Sequence, residues 1–134
     1  MISLLLTGCD EADLFKGKWK LPNNEIWIFN SDHTLTIINP TKDSILYPAS
    51  LKHRLVNGST PPPSDWKIKW YYDAKSHPNG LDFSIYYLNF PFDTINCIQE
   101  FTSKTDMRIG YNGSKLDRPE SWPAAKTKVK LVRQ

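Results

Sequence analysis

The chain is poor in the residues from which most catalytic and metal centres are built. Its 134 residues include two cysteines, Cys9 and Cys97, and three histidines, His33, His53 and His77. Two thiols so far apart in the chain make neither a disulfide framework nor a thiolate metal site. The histidines have no short ligand spacing, so with the scattered acids they supply no recognisable zinc set. None of the six glycines belongs to a phosphate-cradling loop or a G-x-S-x-G elbow, which removes the usual nucleotide cradle and the strained serine nucleophile. Carboxylates such as Asp82 and Glu100 can meet across strands, yet any β domain offers such pairs. The expectation is a protein that is not an enzyme and carries no cofactor and no metal. Two further absences bear on the fold. No apolar run reaches about 20 residues, which excludes a membrane-spanning helix. No long stretch rich in Ala, Glu and Leu supports a mostly helical chain.

Aromatic rings are in surplus. Trp, Tyr and Phe make up 13% of the chain, and ten prolines with many Ile and Thr shift the expectation toward β structure. At 40% hydrophobic and 23% charged residues, wholesale disorder is excluded, and the length suits one domain. The net charge of +3 is uneven, because residues 115–134 hold six Lys/Arg against two acids. Lys126, Lys128 and Lys130 alternate with Thr127, Val129 and Leu131. That reads as the solvated face of an edge or closing strand rather than a nucleic-acid footprint, so no nucleic-acid partner is expected.

Alternation of apolar and polar residues gives roughly eight to ten short strands after a helical turn. Trp66, Ile68, Trp70 and Tyr72 share one face of a strand whose other face carries Lys67 and Lys69. Leu81, Phe83, Ile85 and Tyr87 share one face of another. Residues 25–30 and 33–38 read as a hairpin around Ser31-Asp32. Residues 44–47 and 51–56 read as strands, and Pro91 with Asp93 as a turn before a strand at 95–101. Residues 105–111 and 126–132 complete the set. Tyr71, Tyr86 and Trp27 fall on the opposite parity and are expected outside or under loops. Small sheets must close or stack to bury an apolar face. The expected fold is all-β, an antiparallel up-and-down β-barrel whose interior is either filled or hollow.

Two resemblances add to this reading. Leu6-Thr7-Gly8-Cys9 resembles the bacterial lipoprotein cleavage box, in which the cysteine thiol takes the lipid. It implies lipidation at Cys9, an anchor segment 1–9 before a domain at 10–134, a membrane tether and a cell-envelope location. The alternative, because no basic stretch precedes the box, is that residues 2–6 are an ordinary segment lying on the domain and the location is cytoplasmic. Gly17-Lys18-Trp19, after Asp13-Leu14-Phe15-Lys16, resembles the first-strand G-x-W signature of the lipocalin and calycin barrels. From about residue 13 to 123 the chain is similar to small bacterial lipocalin-like domains of uncharacterised function found in planctomycetes, with Asp117-Arg118-Pro119 at their Arg-Pro element. The resemblance implies that Gly17 admits the chain closely and that Trp19 plugs one barrel end. It also implies that a late arginine, Arg118 or Arg133, packs over the indole.

Two functional expectations follow. The first is binding of a small apolar or amphipathic ligand in the barrel, lined by Trp66, Trp70, Tyr72, Phe83 and Tyr87. Arg54, Arg108 or a tyrosine hydroxyl would orient its polar head. The alternative is a protein-interaction module that uses an outer sheet face or the basic C-terminal strand. A hollow interior favours the first, and a filled interior beside an exposed apolar patch favours the second.

Overall fold

The computed structural model describes residues 11–41, 44–46, 65–112 and 117–134. A short helix α1 (Glu11–Phe15) precedes eight strands: β1 (Lys18–Lys20), β2 (Ile26–Phe29), β3 (Leu35–Ile38), β4 (Trp66–Asp73), β5 (Asn79–Tyr87), β6 (Phe90–Phe101), β7 (Asp106–Tyr111) and β8 (Thr127–Arg133). They form one antiparallel sheet in the order β3-β2-β1-β8-β7-β6-β5-β4. Every neighbour is the next strand in sequence except β1 and β8, which join the two ends of the chain through Trp19 opposite Arg133. The remaining seam lies between β3 and β4. There a single bridge pairs Thr34 with Lys69, and the Trp70 amide donates to the His33 carbonyl at 2.9 Å. The sheet is thus an up-and-down barrel, nearly closed, which leaves little free edge.

Closure puts one parity of each strand inside. On β4 and β5 the inward residues are those the alternation singled out, and they face one another as Trp66 and Tyr87, Ile68 and Ile85, Trp70 and Phe83, Tyr72 and Leu81. Trp27 departs from expectation. It is fully buried, with its ring 5.4 Å from Phe83. The register explains this, because Trp27 stands opposite Trp19 and shares the inner face with Phe29 while Ile26 and Ile28 are only partly buried. Trp19, Trp27, Trp70, Phe15 and Phe83 are all fully buried, so among the described residues the interior is filled by rings. Each such ring contributes about 1.5–3 kcal/mol of burial free energy.

Two other expectations are corrected. Residues 44–46 form a turn rather than a strand, because the Ser44 hydroxyl accepts the Leu46 amide at 3.1 Å and competes with a ladder partner. Ile45 and Leu46 are nonetheless buried. Tyr47 and residues 51–56 lie outside the described residues. In addition, Pro91 and Asp93 are not a turn. They belong to β6, and the register shift between Ile85 and Tyr86 lets the strand carry a proline that cannot donate to the ladder. The turn is Leu88-Asn89.

Outside the barrel, residues 117–125 lie across β5, β6 and β7. Arg118 pairs with Asp82, and a Cβ at Gly80 would stand 2.7 Å from the Arg118 guanidinium. That close approach is what the glycine permits. Under the same segment Ile98, on the outer face, is fully buried.

Candidate functional site

The barrel has two differently built ends. One gathers α1, the β6–β7 turn and the end of β8. Here the Phe15 ring sits 5.0–5.1 Å from Phe29, Trp70, Tyr72 and Phe101, so a single side chain from a five-residue helix stoppers the interior. The Trp19 indole N–H donates to the Phe15 carbonyl at 2.8 Å. Over the Trp19 ring lies the Arg133 guanidinium, 4.3 Å from its centroid. That guanidinium also donates to the backbone carbonyls of Lys104 and Leu14, at 3.1 Å each, and of Lys16. Gly17 turns the chain at φ +98° beside Arg133, a conformation that L side chains resist. Of the two arginines the G-x-W resemblance named, Arg133 lies on Trp19 and Arg118 lies elsewhere, on Asp82. Beside this closed end runs a groove of about 500 Å³ lined by Asp13, Leu14, Lys16, Phe101, Lys104 and Arg133. Its guanidinium is already occupied by backbone.

The opposite end is assembled from the β1–β2 turn, the 44–46 turn, the β5–β6 hairpin and the junction of β7 with β8. A pocket of about 200 Å³ opens here between Leu21, Asn23, Ser44, Ile45, Tyr111 and Val129. Burial pushes the Tyr111 phenol above its usual pKa, and a hydrogen bond with the Thr127 side chain opposes the shift. Glu25 lies at this end, fully buried. It accepts the Trp27 indole N–H at 3.1 Å, the Thr41 amide at 2.8 Å and the Thr41 hydroxyl at 3.0 Å. Sequence reading missed it, although Glu25 has the parity of Trp27 and Phe29, and an inward register for β2 places all three inside. Gln99 was missed too. It is fully buried, donates to the Met107 sulfur at 3.4 Å, and its Oε1 has no partner among the described residues.

On the same end the β5–β6 hairpin forms a lip. Trp66 lies 4.6 Å from Tyr87 and edge-on to Phe92 at 5.1 Å. The indole N–H of Trp66 is buried without a hydrogen-bond partner among the described residues. Beyond it Leu88, Phe90 and Phe92 are 52%, 74% and 53% exposed.

The five aromatics expected to line one ligand cavity are therefore dispersed. Trp70 and Phe83 are fully buried core, Tyr72 packs at the closed end against Phe15, and Trp66 and Tyr87 stand at the open end. Arg108 is not inside. Met107 and Ile109 take the inner face of β7, and Arg108 on the outer face pairs with Glu100 and stacks 3.7 Å from the Trp122 ring. It cannot orient a ligand in the barrel. Arg54 and Cys9 lie outside the described residues. Cys97 is a fully buried thiol whose pKa is pushed up by burial, which makes it unreactive while folded. Lys128 and Lys130 are exposed on the outer face of β8, Lys130 3.5 Å from Asp106.

Among the described residues no group of His, Cys, Asp and Glu is placed to hold a metal, and no helix is long and apolar enough to cross a membrane. The barrel is compatible with a calycin-like fold. No family model, curated protein or solved structure matches this chain, so the narrower lipocalin-like placement gains no support from comparison.

Proposed function

We propose that this protein is a non-enzymatic binding module that works by contact at the open end of its barrel, through the apolar lip of Trp66, Tyr87, Leu88, Phe90 and Phe92. The observation that carries this reading is a filled interior beside exposed apolar side chains. Among the described residues the rings pack on one another inside, and three large apolar groups on one tip keep half or more of their surface exposed. Of the alternative expected from sequence, the mode is kept and the location moves from the outer sheet face or the basic strand to the lip. Purification of the full chain from its host, beside the variant carrying both Phe90→Ser and Phe92→Ser, tests it. The variant is expected to lose whatever co-purifies at stoichiometric level. Equal co-purification by both chains, or neither a protein nor lipid held by either, sinks the reading.

A second reading is supported by the pocket at the same end. Its roughly 200 Å³ falls short of the 300–1,000 Å³ of drug-sized sites, so it suits a small amphipathic molecule or one end of a longer one. Leu21, Ile45 and Val129 would take hydrocarbon, and the Tyr111 and Ser44 hydroxyls the polar group. Native mass spectrometry should then show a small-molecule adduct that Val129→Phe removes by filling the pocket. An adduct unchanged in that variant rules the pocket out.

A further inference from the structure

The β5–β6 turn passes through Leu88 and Asn89 with φ of 51° and 67°, the pair of positive values that defines a type I′ hairpin turn. Asparagine and glycine hold this conformation readily, and leucine does so at a cost. An apolar residue therefore stands, half exposed, at a position where local structure favours a polar one or none. Among the described residues the other exposed large hydrophobics, Leu14, Tyr71 and Val132, come singly from separate elements, whereas Leu88, Phe90 and Phe92 come from one tip.

Behind the tip the side chains are graded. First come Leu88, Phe90 and Phe92, then the indole and phenol of Trp66 and Tyr87, tilted against each other at 4.6 Å. One rung further from the tip Lys67 faces Tyr86, and Lys69 lies 5.5 Å from the Tyr86 ring centroid. Aliphatic and phenyl groups, then amphipathic rings, then ammonium groups on flexible stems is the sequence of polarities met on leaving a bilayer through its headgroup layer. Among the described residues Asp65 and Asp93 flank the same rungs and offset the two lysines.

We propose that the β5–β6 tip inserts into the interfacial layer of a lipid bilayer. This rests on the lip being the contact surface, and it names the partner. A convex tip of three apolar side chains needs a complementary hollow in a protein partner, whereas a fluid apolar phase receives it without one. With the described charges beside the tip offset, apolar transfer is the driving force, and insertion of so few side chains is shallow and reversible.

The test uses the full chain with unilamellar vesicles of pure phosphatidylcholine and of phosphatidylcholine with 30% phosphatidylglycerol (about a third anionic). Wild type is expected to float with both kinds of vesicle, with apparent affinities within about threefold of each other because charge is balanced. Brominated acyl chains should quench the emission of a Phe90→Trp variant. The variant with both Phe90→Ser and Phe92→Ser should partition at least tenfold less. Leu88→Gly, which suits the turn and guards against misfolding as the cause, should also bind more weakly while keeping its fold by circular dichroism. Binding that persists in the double serine variant assigns the effect to another segment and overturns the proposal. Absence of wild-type flotation overturns it as well. A protein lost from the double variant in host co-purification, with no vesicle binding by wild type, overturns the bilayer as partner and leaves the contact function standing.

Discussion

At the closed end of the barrel an indole, a phenyl ring and a guanidinium are each fully engaged: Trp19 donates to Phe15, Phe15 touches four rings, and Arg133 holds three carbonyls while covering Trp19. At the open end the same classes of side chain are left wanting. The Trp66 indole N–H has no partner among the described residues, and Phe90 is 74% exposed. Both ends are aromatic, so ring content does not distinguish them. Satisfaction does. Where hydrogen-bonding capacity and apolar area are used up within the chain, the residues hold the fold. Where they are not, among the described residues, the side chains are open to further contact.

This contrast breaks most sharply at Trp19. Trp19→Ala leaves a large cavity under Arg133 and should cost about 3–5 kcal/mol, read from the urea midpoint. A loss below about 1 kcal/mol would mean that the closed end is not what secures the barrel. Arg133→Ala comes next, at about 1–2 kcal/mol, because it gives up a cation–π contact and three charge-assisted hydrogen bonds at a partly exposed site. Arg133→Lys should restore less than half, since an ammonium cannot cap a ring and reach divergent carbonyls together. At the other end the sign reverses. Leu88→Gly should raise stability by about 0.5–1 kcal/mol by relieving the positive φ, and a decrease would place Leu88 among the residues that hold the fold.

The smallest effect is on pH dependence. Burial raises the pKa of both the Cys97 thiol and the Tyr111 phenol, so each binds its proton more tightly folded than unfolded. Their stabilising contribution is complete below the unfolded values of about 8.5 and 10 and is lost as the pH rises past them. The urea midpoint should fall between pH 8 and pH 10.5, chiefly through the deeply buried Cys97. Cys97→Ala should flatten that fall more than Tyr111→Phe, and the reverse order would break the assignment.

How much of this was legible depends on whether a strand has one apolar face or two. β4 alternates rings with Lys67 and Lys69, so its inward face could be read directly. β2 is apolar on both faces, Ile26 and Ile28 against Trp27 and Phe29, and only pairing with β1 tells which is inside. The choice between Arg118 and Arg133 has the same origin, since it rests on the register that sets Trp19 opposite Arg133, a contact between the two ends of the chain. The outward placement of Arg108 was available in the alternation of Met107 and Ile109, and the expectation of a ligand head group overrode it. The lip was missed for a subtler reason. Leu88 is the wrong residue for the turn it occupies, so turn chemistry pointed to Pro91 instead.

The pairing of β1 with β8 also fixes an orientation. Helix α1 and Arg133 stand together, so any carrier, surface or neighbouring domain joined after Gln134 is joined at the stoppered pole. The hairpin with Leu88, Phe90 and Phe92 is then held out at the far pole, a barrel's length from its support. A chain immobilised at Gln134 should present that hairpin to the medium, and one immobilised through a side chain at the open end should hide it.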